Sequence, residues 1–341
     1  MDMESGHTML RLPVIDAHLD LGMYLRQERQ KGRRKVIASD FIDDMRQNGV
    51  IGVISAIFVD EHTINGSALE QACEQIAALQ AEERESPGLF RICTNYQTLY
   101  QTMEEGMLAI LLSFEGVEPL GLNPELLNFF HSAGVRGMGL AHARRNQACD
   151  GARYSASPHN DGCGLTDFGV ELVRRAEELG MLIDVSHLND PGTADVLSLV
   201  SGPVIASHSN CRALNPTKRN LTDEQIRAIA DRGGVVGVNG CSAIVSDRPD
   251  GVSMEMLANH VDRLVQVGGI DHVGLGFDIA EMIMPDSYIE VNGFRQRIRD
   301  IVPGYAGLPL LTDTLRQRGY TEEELSKIYS GNFLRVFREV L

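Results

Sequence analysis

The chain has 341 residues, 43% hydrophobic and 23% charged, ordinary proportions for a soluble globular protein with a sizeable buried core. Its formal net charge of −16 argues against nucleic acid or an anionic membrane as partner, since both need a basic face. No stretch approaches the roughly 18 apolar residues of a membrane span, and Met1–Arg11 lacks the apolar core of a secretory signal, so a cytoplasmic location is expected.

Strand-like apolar runs alternate with helix-period segments from end to end. The first run, Val14–His18, continues to Asp20 and is followed by a long connection, Leu21–Ser39, holding the one basic cluster, Lys31–Lys35, expected to be a solvated loop. Gly49–Val59 is continuous, β-branched and Gly-flanked, as a parallel strand covered on both faces should be. A helix over Ser67–Arg84 follows, then a strand at Leu108–Glu115, a helix over Asn123–Ala133 and a strand at Val135–His142. After a second long connection, Ala143–Leu165, come the helix Thr166–Leu179, the strand Leu182–His187, the helix Pro191–Val200 and the strand Val204–His208. The helix Thr222–Asp231, the strand Gly234–Asn239, the helix Ser253–Val267 and the strand Val273–Asp278 complete the alternation. A third long connection, Ile279–Leu308, precedes a final helix, Thr321–Val340, whose Thr321 and Glu324 form a capping box. Several helices close on glycine, including Gly134, Gly180 and Gly233.

Eight strands each followed by helix predict an α/β fold, a (β/α)8 TIM-type barrel, rather than an open doubly wound sheet. No G-x-G-x-x-G follows the first strand, and no Pro/Ser-rich linker divides the chain, so a single domain over residues 1–341 is expected. All three long connections follow strands, and therefore open onto the barrel face where active sites gather, as walls and lid of a pocket.

Six of these runs end on a residue able to bind a metal or move a proton: His18 with Asp20, Glu115, His142, His187, His208 and Asp278. His18 and Asp20 are two apart in an extended chain and point to the same side, so both can face one ion. His187 and His208 end neighbouring strands about 4.8 Å apart and can converge as well. Glu115 offers two oxygens, enough to bridge two ions. Mixed His and carboxylate ligation suits Zn²⁺ first, and a two-metal site clamps a water between the ions, which is hydrolytic chemistry. Asp278, after the last strand, can take a proton from such a water and return it to a leaving amine; its bland alternative is a helix cap.

The segments Asp16–Asp20, Ser113–Gly116, Gly164–His187, Ser207–Asn210, Arg219–Leu221, Asp271–Asp278 and Gly331–Glu339 together resemble the renal (membrane) dipeptidase family of the amidohydrolase superfamily. The resemblance covers nearly the whole chain in order. It implies a barrel holding two zinc ions, with His18 and Asp20 on one, His187 and His208 on the other, and Glu115 between them. It further implies that Asp278 transfers the proton, that His142 contacts the substrate carbonyl oxygen, and that Arg219 binds the terminal carboxylate of a dipeptide. The substrates so implied are small free dipeptides, L,L- and L,D-. The chain departs from the family at Asp278-Ile279-Ala280-Glu281, where Asp-Phe-Asp-Gly is usual, and over Ala143–Asp150, which differs from the vertebrate form.

Two rivals remain at this point. One is another amide hydrolase on the same metals, an N-acyl-amino-acid deacylase or a lactam-opening enzyme. The other is a non-catalytic metal-binding homologue, against which the retention of Asp278 speaks. Asp60-Glu61-His62 reads as an exposed loop, and His131, His159, His260 and His272 as structural or unremarkable. Lys218, Arg212, Arg144 and Arg145 read as surface residues, and Asn239 as a residue that could touch substrate. The six cysteines form no C-x-x-C pair and are expected to be reduced, although Cys149 and Cys163 bracket a loop they could staple. Barrels of this size are often homodimers, but no segment carries an interface signal.

Overall fold

The computed structural model describes residues 12–59, 67–152, 162–247, 251–284, 288–291 and 294–341. The runs that the apolar pattern marks as strands form β1 (Val14–Leu19), β2 (Val50–Phe58), β4 (Leu108–Glu115), β5 (Val135–Gly139), β6 (Leu182–Asp184), β7 (Ile205–Ala206), β8 (Val235–Val238) and β9 (Val273–Leu275). A short additional strand, β3 (Phe90–Ile92), and an antiparallel hairpin of β10 (Tyr288–Val291) and β11 (Phe294–Arg297) were not expected.

The sheet runs β2-β1-β9-β8-β7-β6-β5-β4, all parallel, and a direct pairing of β2 with β4 closes it into an eight-strand barrel. Closure skips β3 because β2 is long enough to pair with β4 in unbroken register from Gly52↔Ala109 to Phe58↔Glu115. β3 lies only against the base of β4, from Phe90↔Leu108 to Ile92↔Ile110. The (β/α)8 barrel is thus present, with one extra edge strand.

The amino-terminal end of the barrel is sealed. Ile15, Leu182, Ile205 and Val235, each near the start of its strand, form one buried cluster with Phe333, Val336 and Phe337 of the last helix. A Cβ on Gly274 would stand 2.3 Å from the Phe333 ring, so the floor fits closely only because that residue is glycine. The expected final helix is two, Glu322–Ser326 and Asn332–Val340, joined by a wider turn at Lys327–Gly331, and its Thr321/Glu324 capping box is present. With this end plugged, the carboxyl ends of the strands are the open face.

The first long connection corrects an expectation: it is largely helical, Leu21–Gln30 and Val36–Asp40. Leu21, Leu25 and Glu28 face the interior, and Arg29 pairs with Glu82 and Glu85 of the helix Ala68–Glu85. In the basic cluster, the exposed Lys31 and Arg33 reach back to pair with Glu28, and Arg33 pairs also with Asp40. All six cysteines are free, so the Cys149–Cys163 staple is not formed. No helix among the described residues is long and apolar enough to cross a membrane. Asp60-Glu61-His62 and His159 lie outside the described residues.

Candidate metal centre

The carboxyl ends of β1, β4, β6, β7 and β9 bring His18, Asp20, Glu115, His187, His208 and Asp278 together around a single point. His18 Nε2 stands 3.6 Å from Glu115 Oε2, 4.0 Å from Asp20 Oδ1 and 3.9 Å from Asp278 Oδ1. On the other side, Glu115 Oε1 lies 2.9 Å from His187 Nε2 and 3.6 Å from His208 Nε2, and the two imidazoles meet at 2.9 Å. Glu115 therefore turns one oxygen to each half of the cluster. His142 completes the rim, its Nε2 3.9 Å from Glu115 Oε1 and its ring between Phe58 and His187. All the predicted site residues except Arg219 meet directly here, and Arg219 lies immediately behind His208.

Two backbone positions are held out of the ordinary range to achieve this. His187 has φ 68° and Asp278 φ 57°, and among the described residues only Lys35 shares this left-handed region without being glycine. Such a conformation costs of order 1–3 kcal/mol and persists only where the surroundings enforce it.

The side chains are braced from behind. His208 Nδ1 lies 2.6 Å from Ser207 Oγ, whose hydroxyl in turn donates to Asp184; Asp184 also accepts the backbone N–H groups of Ser186 and Ser207, each at 2.9 Å. This fixes the ring with Nε2 toward the centre, the usual arrangement for an imidazole that ligates a metal. At the end of β1, Asp16 accepts the backbone N–H of Phe277 at 2.9 Å and the hydroxyl of Tyr305 at 2.8 Å, tying the His18 strand to the segment that carries Asp278. Arg219 is almost fully buried, donating from Nη1 to Ser209 Oγ at 2.9 Å and from Nη2 to the His208 carbonyl at 2.8 Å, while its Nε makes no hydrogen bond among the described residues.

The charge balance of these residues calls for a cation. Burial, then the neighbouring Asp20 and Asp278 carboxylates, pushes Glu115 well above the usual carboxylate range, and burial raises Asp20 to about 6. Burial likewise pushes His187 and His208 well below the usual imidazole value and lowers His142 to about 3, with Arg219 adding to each shift. A bound divalent ion needs neutral imidazoles and ionised carboxylates, and its charge would offset the burial and mutual repulsion that raise Glu115 and Asp20. His18 Nε2 and Asp20 Oδ1 are moreover buried with no hydrogen-bond partner among the described residues. Buried polar atoms left so are rare and costly, and an N/O donor set aimed at one point explains them. The residues fit divalent-metal binding, in three overlapping groups: His18, Glu115 and His208; Glu115, His142 and His187; and His18, Asp20 and Asp278.

Other expectations sort as follows. Arg212 and Arg144 are partly exposed and paired: Arg212 forms a two-pronged pair with Asp190, and Arg144 pairs with Glu118 at 2.9 Å. Arg145 pairs with Asp150. His260 and His272 are structural, one bonded to the Val245 carbonyl and the other to that of Gly234. Asn239 contacts Asp278. Asp16, Asp184, Ser207, Asp300 and Tyr305 were not singled out, although Asp184 inside Leu182–Val185 is a carboxylate in an apolar run, itself a signal.

The family model for membrane dipeptidase (peptidase family M19) matches residues 4–341. An uncharacterised protein of Klebsiella pneumoniae is 34% identical over 285 residues, 82% of this chain and 99% of that one. The dipeptidase ataJ of Aspergillus terreus is 27% identical, with 97% of this chain and 85% of that protein covered. Among solved structures, a metallopeptidase from Rhodobacter sphaeroides, liganded with a phosphinate mimic of the dipeptide L-Ala-D-Ala, superposes with a TM-score of 0.84 at 27% identity over 97% of this chain and all (100%) of that one. The chain belongs to the membrane dipeptidase family and is an enzyme of the metallopeptidase class.

Proposed function

We propose that this member of the membrane dipeptidase family hydrolyses the peptide bond of free dipeptides, L,L- and L,D-, at a binuclear zinc centre. His18 and Asp20 would hold one ion, His187 and His208 the other, with Glu115 shared. The observation that carries this reading is the split of Glu115, one oxygen toward His18 and the other toward His187 and His208. When bound, such a pair of ions polarises the scissile carbonyl and makes water acidic enough to attack it.

The chain's own residues do the rest. Asp278, its Oδ1 turned toward His18, takes the proton of the attacking water and delivers it to the departing amine. His142, held neutral, offers a hydrogen bond to the carbonyl oxygen as charge develops there. Arg219 receives the substrate's terminal carboxylate, using the donor capacity left beyond Ser209 and the His208 carbonyl. A charge fixed at that distance selects substrates that end one residue beyond the scissile bond. The dipeptide mimic held by the Rhodobacter sphaeroides relative supports the same substrate class.

The test is a hydrolysis screen of the zinc-loaded protein on L,L- and L,D-dipeptides and their N-acetylated forms, with Asp278→Asn as control. Cleavage of the free dipeptides alone, abolished in the variant, is expected. Turnover confined to the acetylated set would assign a deacylase instead, and metal binding without any turnover would leave a binding protein.

A further inference from the structure

Asp278 stands in the left-handed region, sparsely populated by residues other than glycine although Asp enters it more readily than most, and its turn lacks the second Asp and the Gly usual in the family. Two side chains from distant segments support it there. Asn239, the residue after β8, donates from Nδ2 to Asp278 Oδ2 at 3.1 Å, leaving Oδ1 to face His18 at 3.9 Å. Nδ2 also donates to the His208 carbonyl at 3.3 Å, and the other amide atom accepts the backbone N–H of Cys241 at 2.7 Å, so the amide cannot flip without losing all three bonds. Asn239 is itself pinned by Asn210, whose side chain bonds both its N–H and its carbonyl.

The second support acts on the backbone. Asp300, on the far side of the β10–β11 hairpin, accepts the N–H of Ala280 on Oδ1 and that of Glu281 on Oδ2, each at 3.0 Å. Glu281 replies by accepting the N–H of Asp300 at 3.1 Å. The turn immediately after Asp278 is thereby clamped by a carboxylate supplied from 20 residues further along the chain.

We propose that Asn239 and Asp300 are positioning residues for Asp278: Asn239 fixes which carboxylate oxygen faces the metal centre, and Asp300 fixes the turn that presents it. This rests on the reading of Asp278 as the proton carrier. On this proposal Asn239 acts through Asp278 rather than as a substrate contact.

The experiment compares Asn239→Asp, Asp300→Asn and Asp278→Asn in the zinc-loaded full chain. Asn239→Asp keeps the acceptor for Cys241 and places an acceptor where Asp278 needs a donor. A fall in kcat on the order of 10- to 100-fold is expected, with KM held within about twofold and with metal content and melting temperature retained. Asp300→Asn, which weakens the clamp without touching the carboxylate, is expected to lower kcat less and in the same pattern. If Asn239→Asp does not fold, Asp300→Asn alone decides by that split. A raised KM at constant kcat would make Asn239 a substrate contact and overturn the proposal, as would wild-type kcat in both variants beside an inactive Asp278→Asn. An active Asp278→Asn enzyme would instead refute the proton-carrier reading, and the positioning role with it.

Discussion

The buried position of Arg219 makes its proposed task separable from its structural one. Replacement by Met keeps an unbranched apolar stem but removes the positive charge, the bond to Ser209 Oγ and the bond to the His208 carbonyl. The loss to substrate binding follows from the donors that remain for a carboxylate. A hydrogen bond to a charged partner contributes about 1.5–3 kcal/mol. Two parallel ones, discounted for the substrate's own desolvation, come to about 3–4 kcal/mol, or roughly a 100- to 1000-fold loss in kcat/KM. The structural damage falls on every substrate alike. So does the electrostatic damage, since the Arg219 charge holds down His142, His187 and His208 and opposes the rise of Glu115 whatever is bound.

A dipeptide and its C-terminal amide, assayed on wild type and on Arg219→Met, separate the two contributions. The wild type is expected to prefer the acid by the full factor, and the variant to prefer it by less than about tenfold. Because the comparison is made within each protein, partial unfolding or metal loss cancels. A variant that keeps the wild-type preference for the acid, however weak its overall activity, would refute the carboxylate role and leave Arg219 as a buried brace for His208.

Three further outcomes are expected. Tyr305→Phe removes the hydroxyl that Asp16 accepts and leaves a buried carboxylate oxygen unpaired, so the urea midpoint should fall by the equivalent of about 1–3 kcal/mol with the slope unchanged; a change under about 0.5 kcal/mol would show that the bond contributes nothing. His260 accepts from Cys211 N–H on Nδ1 and bonds the Val245 carbonyl through Nε2, which only the neutral ring can do. Burial lowers its pKa below 6.5, so its contribution is complete above that pH and is lost as pH falls below it, by at most about 1.4 kcal/mol per unit. Denaturation at about pH 7.5 and 5.5 should show a smaller acid loss in His260→Gln than in wild type, and equal losses would count against it. Finally, chelation should lower the melting temperature, with recovery on adding Zn²⁺, because a ligand at a thousand times its Kd stabilises by about 4 kcal/mol. Identical melting curves with and without metal would contradict the crowding of Asp20, Glu115 and Asp278.

What the sequence made legible depended on how local its cause was. The barrel strands declare themselves because a strand buried on both faces must be continuously apolar, and the ligands because they recur at one point of a repeating unit. β3 offers only Phe90, Arg91 and Ile92, too short for any period to show. The helix Leu21–Gln30 was hidden because part of its inward face is Glu28, whose charge is answered by Lys31 and Arg33. The hairpin did carry a local signal, the Asn292-Gly293 pair between Val291 and Phe294, which favours a two-residue turn.

The residues that brace the site were the least legible, and for a common reason. Asp16 to Tyr305, Asn239 to Asp278 and Asp300 to Ala280 are bonds between segments far apart in sequence, and no spacing rule reaches that distance. Each replaces a hydrogen bond to water with one to protein, a net gain of only about 0.5–1.5 kcal/mol, although removing one partner alone costs more because the other is left buried and unpaired. Direction matters most at Asp278. Without the bond from Asn239 the carboxylate is free to turn its Oδ1 away from His18. The turn Ile279-Ala280-Glu281 that follows is held by a carboxylate from outside it, that of Asp300.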